Sequence, residues 1–563
     1  MEHQNHHLRD NMLGRRHFLR LFGIAVGTAA GGLLAACTAA PSTGPATLAP
    51  VATSAPAATS APAAAPVATS APAATSAPAA AAAAKPNGTL TIAQGADVTS
   101  LDPHQTQATA PRGIMHSIFD ALYVFDQNLK LQPALATSYT LVTPTTWEFK
   151  LRNDVVFHNG EKFTSESVKV SIQRFVDPQT KNIYANLLDP IDKVETPDDY
   201  TVRVMTKKPY PSLLEDLGVF LFLAPPKAMQ DMGDAYFKQP VGTGPYKFVQ
   251  WSPGEQVTVQ AVDYKHWSGG PWVDKIVWRT ISDPTARVTA LRTGEADLIS
   301  NVPPTQMSAV ESGGSQVKRT NGMGIMILIL NASKGPLADK RVRQAINYAI
   351  DKDKIIKSLV GGAAKPLNGP YHSLQDGYEA SVPAPYPYDP VKAKQLLTDA
   401  GYGDGFSFTI DSPSGRYLSD KEVAQAAAGD LHKVGIEMTV NPLEWGAMVK
   451  SLQEKTSDAF LLMQNNKDPY IIVSTCFHSG IKGLPWLGYS SPAVDSMIEQ
   501  AGQETNDQQR VALYNQLGKQ IADEAPWVFL YQQDDVYAVR DRVQNWQPVG
   551  DQIIYINGVS LKA

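Results

Sequence analysis

The sequence predicts a mixed α/β protein of at least two lobes, on three observations. Residues 88–563 are too many for one compact core of ordinary size. Strand patterns of period two alternate with helix patterns of period 3.6 along that whole length. A helix pattern that stops at Gly435 is followed at once by a strand pattern from Ile436, as in a packed α/β unit.

The strand candidates are Leu90 and Ile92; Trp147, Phe149 and Leu151; Val202 and Val204; Phe406, Phe408 and Ile410; and Ile436, Met438 and Val440. Met323 to Leu330 is apolar at nearly every position, which suits a strand buried on both faces in mid-sheet. Asp389-Pro390 caps and opens a helix with Ala393, Leu396, Leu397 and Ala400 on one face, and Gly401 ends it. Ser491-Pro492 opens another, with Met497, Ile498 and Ala501 inward. Asp339 precedes a third, facing inward through Val342, Ile346, Ala349 and Ile350. Val423, Ala427, Leu431 and Val434 align on the fourth, which Gly435 closes.

Residues 1–37 have the layout of an export signal: a polar start with Arg15 and Arg16, an apolar run from Leu21 to Ala36, then Cys37. The run is 16 residues long, short of the ~20 a helix needs to cross a bilayer. From Thr38 to about Pro86 the chain is Ala, Pro, Thr and Ser, without the apolar bulk to offset the entropy of folding. It is expected to be a tether, able to reach roughly 150 Å at ~3.1 Å per residue in the polyproline conformation; a stalk carrying O-linked sugars is the alternative.

The chain has a net charge of −5, and the basic leader leaves the remainder near −7, which disfavours a nucleic-acid partner. With Cys37 lipidated, Cys476 is the only other cysteine, so no intramolecular disulfide is expected; Cys476 is read as a buried, inert side chain.

A search for reactive constellations finds no His-Glu-x-x-His, Gly-x-Ser-x-Gly, phosphate-binding lysine loop or zinc-spaced cysteine pair. Gly242-Thr243-Gly244 leads into Pro245-Tyr246-Lys247 rather than a helix, and is read as a turn entering a strand. Of the 11 histidines, four lie in the leader; the others are scattered singly and read as solvated or capped side chains, not metal ligands. No catalytic residue, cofactor or metal is expected.

Several stretches, in order, resemble the signatures of the peptide/nickel-binding family of solute-binding proteins, family 5. They are Ser100-Leu101-Asp102-Pro103; Trp147 to Arg152 leading to Phe157-His158-Asn159-Gly160; Pro240 to Tyr246; Thr293 to Leu298; and Arg341 to Ile346 with Ala349-Ile350-Asp351. Arg15 to Arg20 resembles a twin-arginine export motif. Leu34-Ala35-Ala36-Cys37 resembles a lipobox, whose cysteine accepts a diacylglyceryl group.

The resemblance implies a two-lobed periplasmic-binding-protein fold of the Venus-flytrap kind with an extra subdomain. The expected divisions are 88–130, 240–324 and 529–563 for lobe I, 131–239 for the subdomain and 325–528 for lobe II. It implies an extracytoplasmic, lipid-anchored monomer that delivers a peptide-like small molecule to ABC permease subunits, with no bond made or broken. Oligosaccharide or metal-chelate binding, or a secreted hydrolase, are the alternatives.

Carried over residue by residue, the ligand-binding candidates are Gln107, Thr109, Trp445, Asn465, Lys467 and Asp468, with Trp445 open between a pocket wall and a core residue. Peptide binders of this family present an aspartate to the ligand ammonium group. Aligned on Asp468-Pro469 that position is Asn465, and counted from Asp458 it is Lys467. Unless Asp468 takes over, a ligand that is neutral or partly anionic at this point is expected.

Overall fold

The computed structural model describes residues 86–105, 109–180, 182, 184–484 and 486–562. The leader, with Arg15, Arg16 and Cys37, and the tether lie outside the described residues.

Three sheets organise the chain. The first, in lobe I, has seven strands in the order Ser315–Thr320, Asp535–Arg540, Leu298–Ser300, Thr89–Gln94, Lys275–Thr280, Gln256–Ala261 and Tyr246–Ser252. Thr89–Gln94 runs parallel to both its neighbours. The second, in lobe II, has six: Ala364–Pro366, Trp527–Gln533, Ile325–Leu330, Ala459–Gln464, Phe406–Pro413 and Ile436–Leu443. The third is an antiparallel four-stranded sheet of residues 136–206, and its Trp147, Phe149, Val202 and Val204 pack under the helix Ser165–Val176 through Val168, Ile172 and Phe175. The two-lobed α/β expectation and the extra subdomain therefore match the sheets.

Ile325–Leu330 shows why its sequence lacks alternation. Met326, Leu328 and Leu330 face a core made with the helices Lys340–Ala349, Pro390–Asp399 and Asp420–His432. Ile325, Ile327 and Ile329 face a second core made with Pro469–Phe477, Pro492–Gln503 and Asp507–Glu524. Both faces are dry, so both parities are apolar.

Two segments carry the chain between the large sheets: residues 321–324, and Asp534 between Gln533 and Asp535. Trp527–Gln533 pairs with Ile325–Leu330, so this second crossing falls at Asp534 and not at the expected boundary of 529. The segments run side by side, the Gln533 amide donating to the Gly324 carbonyl at 2.8 Å and the Gln532 side chain to the Gly322 carbonyl at 2.7 Å. A Cβ on Gly322 would meet the Gln533 carbonyl at 2.4 Å, so this closeness requires glycine there.

The family stretches turn out to be structural. Asp102 is buried and ion-paired with Arg174 at 2.6 Å, tying the first lobe to the subdomain helix. Gly242 and Gly244 lie against the carbonyls of Ile118 and Ser117, ahead of the strand at Tyr246, as the turn reading requires. Arg343, 5% exposed, donates to the carbonyls of Leu337, Ala338, Glu524 and Ala525, closing two chain ends at once.

The histidine expectation needs correction for three residues. His104, His266 and His372 are buried, not solvated, with ring nitrogens bonded to the carbonyls of Phe222, Thr243 and Asn466. Burial, then the neighbouring Arg174, lowers His104 to about 4, so it serves as a neutral hydrogen-bonding group. Cys476 is buried, and burial pushes its thiol up to about 12.

Replacing Arg343 by leucine strands those four carbonyls. The variant is expected to lose about 3 kcal/mol of stability, read as a lower midpoint in chemical denaturation.

Candidate functional site

The lobes meet along one cleft, and one loop of lobe II reaches across it to lobe I. This loop, Ser414–Ser419, follows the strand Phe406–Pro413 and is organised by the buried Asp420. The Asp420 carboxylate accepts the backbone N–H groups of Gly415, Arg416, Tyr417 and Lys421 at 2.9–3.0 Å. Burial raises Asp420 to about 6, against the opposing pull of those amides.

Held in this way, the loop touches lobe I backbone to backbone. A Cβ on Gly95 would stand 2.1 Å from the Gly415 carbonyl oxygen, and one on Gly415 would stand 2.2 Å from the Ser282 carbonyl oxygen. Gly415 also has φ +81°, a conformation that favours glycine. The Asn301 amide donates to the Arg416 carbonyl at 2.7 Å, a hydrogen bond from lobe to lobe. Arg287, buried in lobe I, holds its side of the contact by donating to the carbonyls of Ile281, Ser282 and Ser300.

Behind this contact lies a cavity shared by both lobes. Gln94, Trp278, Ser300 and Tyr537 line it from lobe I, Arg416 and Tyr417 from lobe II, and Asp535 and Gln552 beside the hinge. Its volume is about 50 Å³, room for one or two water molecules and far below the ~300 Å³ at which small-molecule pockets begin. A solute enters only with the lobes further apart.

The lining is chemically unfinished. The Arg416 Nε, the Trp278 Nε1 and the Asp535 Oδ2 are buried and have no hydrogen-bond partner among the described residues. Buried polar atoms are rarely left so. Two donors and one acceptor around one cavity constitute a demand for a ligand with polar groups of both kinds. Arg416 is also pre-positioned: its guanidinium stacks over the Trp445 ring at 3.7 Å from the centroid and lies 5.2 Å from that of Tyr417.

The candidates from the sequence scatter around this centre. Trp445, half-buried at the start of the helix Trp445–Glu454, is the platform beneath Arg416, so it combines partial packing with a place at the cleft. Asn465 lies just past the strand Ala459–Gln464, and its amide donates across the cleft to the Asp551 carbonyl at 3.3 Å. Lys467 and Asp468 line a different cavity of about 200 Å³, between lobe II and the subdomain. Asp468 caps the helix Pro469–Phe477 by accepting from the Tyr470 amide, while its own amide donates to Glu215. Gln107 lies outside the described residues, and of Thr109 only the backbone is described, at the first position of the helix Thr109–Ile118.

The sequence reading missed Arg416, Trp278, Asp535 and Gln552. One signal for Asp535 was present: Asp534-Asp535 interrupts a run from Trp527 to Val539 that is otherwise free of charge. An acid inside a buried strand needs a reason.

A larger concavity, about 780 Å³, lies elsewhere, with His158, Pro240 and Lys247 to Trp251 in its walls. It sits between the subdomain and the outer edge of the lobe I sheet, so approach of the lobes does not enclose it. Among the described residues there is no cluster of metal-ligating side chains, and no helix long and apolar enough to cross a membrane.

Comparison with known proteins converges on the same architecture. The family described as bacterial extracellular solute-binding proteins, family 5 Middle, matches residues 130–483. The glutathione-binding protein GsiB of Pectobacterium atrosepticum is 31% identical, over 78% of this chain and 87% of its own. The periplasmic binding protein DppA of Helicobacter pylori, solved with the peptide STSA, superposes with a TM-score of 0.79 at 28% identity, covering 85% of this chain and 98% of its own. AgaA of A. tumefaciens R10, solved with agropinic acid, gives 0.78 at 26% identity, covering 84% and 99%. The two lobes, the hinge between them and these matches together make this chain a member of the bacterial extracellular solute-binding proteins of family 5.

Proposed function

We propose that this protein is the lipid-anchored solute receptor of an ABC importer, that it encloses a peptide-like solute between its lobes, and that the closed complex delivers it to the permease. The observation that carries the reading is the cavity shared by the two lobes, bordered by the unpartnered polar atoms of Arg416, Trp278 and Asp535. In a hinged protein of this kind the ligand selects the closed form, because only there do both lobes touch it.

The names of the relatives support the solute class. One is a glutathione-binding protein and another was solved with a tetrapeptide; both ligands carry carboxylate and amide groups. Arg416, stacked on Trp445, would receive a carboxylate, with the Trp278 indole N–H as a further donor. A non-peptide solute is the second reading, favoured by Asn465 where peptide binders carry an acid and by the neighbour solved with agropinic acid.

The anchor rests on Arg15-Arg16, the apolar run and Cys37 alone. A diacylglyceryl thioether at Cys37 followed by the Ala/Pro/Ser/Thr tether would hold a monomeric receptor beside the membrane while leaving it free to reach the permease.

Titration calorimetry of the full chain against glutathione and short peptides is expected to give micromolar or tighter binding to at least one. Binding of none, with an oligosaccharide or metal chelate bound instead, contradicts the peptide reading. Gly95→Val should weaken that binding at least about tenfold, because the added side chain meets the Gly415 carbonyl before the lobes close, and should also lower the melting temperature, because it presses on the buried Arg287 guanidinium within lobe I. Cys37→Ala should shift the protein from the membrane to the soluble fraction in its native host. Replacing Arg15 and Arg16 by lysine should stop export; unchanged surface display would point to another export route.

A further inference from the structure

The cavity contains an acid that no cation among the described residues balances. Asp535 opens the strand Asp535–Arg540 immediately after the second hinge crossing and is 3% exposed. Its Oδ1 accepts from the Gln552 side chain at 3.0 Å, and its Oδ2 has no hydrogen-bond partner among the described residues. The charged groups acting on it are Asp551 and Asp534, both acids. Asp551 is itself buried, its oxygens bonded to the Ile553 amide and the Tyr555 hydroxyl. Burial first, then these neighbours, holds the Asp535 carboxyl well above the usual range. A buried carboxylate without a cation costs several kcal/mol, so a residue left in that condition beside a ligand cavity needs a partner that arrives from outside.

Asn465 adds a second, independent observation. The strand ending at Gln464 and the segment around Asp551 face each other, with Asn465 bonded to the Asp551 carbonyl. Gln552 bridges from the Met463 sulfur, at 2.9 Å, to Asp535. Asn465, outside the cavity lining, is thus connected to Asp535 in that lining through residues 551–552. The acid absent at Asn465 is present at Asp535.

We propose that Asp535 is the counter-charge for a cationic nitrogen of the solute, such as a peptide α-ammonium group, received on the hinge strand with Gln552 orienting the carboxylate. Arg416, on lobe II, lines the same cavity, so the site takes a ligand bearing a cationic nitrogen and a carboxylate. This deepens the peptide reading and rests on it for the carboxylate, but not for the cation. It also reverses the expectation, drawn from Asn465 and Lys467, of a ligand neutral or anionic at this end.

The test uses calorimetry on the full chain with four probes: alanyl-leucine, glutathione and their N-acetylated forms. The wild type should bind at least one free amine tenfold or more tighter than its acetylated form, and Asp535→Asn should reduce that ratio to about one. Arg416→Ala should weaken both forms together and leave the ratio intact. The melting temperature of Asp535→Asn without ligand should equal or exceed that of the wild type, since an unbalanced buried acid is removed. A ratio near one in the wild type, or a ratio kept in Asp535→Asn, overturns the proposal. If no peptide binds, the peptide reading fails, and thermal shifts with a panel of primary, secondary and quaternary amines decide the subsite. Stabilisation of the wild type but not of Asp535→Asn by any of them upholds it; stabilisation of neither, or of both alike, overturns it.

Discussion

The molecule depends on one constraint: two sheets with separate cores are joined by only two short segments, and the surfaces those segments bring together touch through glycine backbone. At the hinge, Gly322 and Gly324 leave no room for a Cβ beside Gln533 and Met463. At the far side, Gly95 and Gly415 let the lobes approach until carbonyl oxygens stand where a Cβ would be. Each lobe is rigid because its cores are dry and tightly packed. Relative movement is therefore concentrated in few torsions, and the cavity between the lobes becomes the place where a ligand can bias the equilibrium.

The binding chemistry follows from that geometry. A loop fixed by four amide bonds to Asp420 carries Arg416 from lobe II, while Asp535 belongs to the strand that begins where the chain leaves the hinge. The cation and the anion are thus mounted on different parts of the machine. A solute that satisfies both must engage the closed arrangement, whereas one that satisfies a single wall gains little from closure. Specificity and closure are coupled through the same two charges.

Much of the fold was legible in the sequence because its signals are local. The caps at Asp339 and Asp389, the glycine stop at Gly435 and the unbroken apolar run of Ile325–Leu330 each report a backbone or burial requirement within a few residues. The family stretches were legible for the same reason, yet they mark architecture: Asp102 pairs with Arg174, and Arg343 closes chain ends. The site was far less legible. Arg416 and Trp278 are ordinary residues until the fold sets them around one cavity, and Asp468, prominent in the sequence, is used as a helix cap. The second passage between lobes, at Asp534, follows from hydrogen bonding that assigns Trp527–Gln533 to one sheet and Asp535–Arg540 to the other, a long-range pairing that no local sequence signal reports.

The central claim, that a solute is held by lobe closure over this cavity, is tested most directly by the distance between the lobes. Spin labels at the exposed Glu311 of lobe I and Lys450 of lobe II, placed on the full chain, report it. After removal of co-purified solute, the distance distribution should include a population distinct from the closed one. Saturating glutathione, or the peptide that calorimetry selects, should collapse it to a single shorter distance, with the lobes closed around the solute. A single distribution, unchanged by a ligand that calorimetry shows to be bound, would contradict the account.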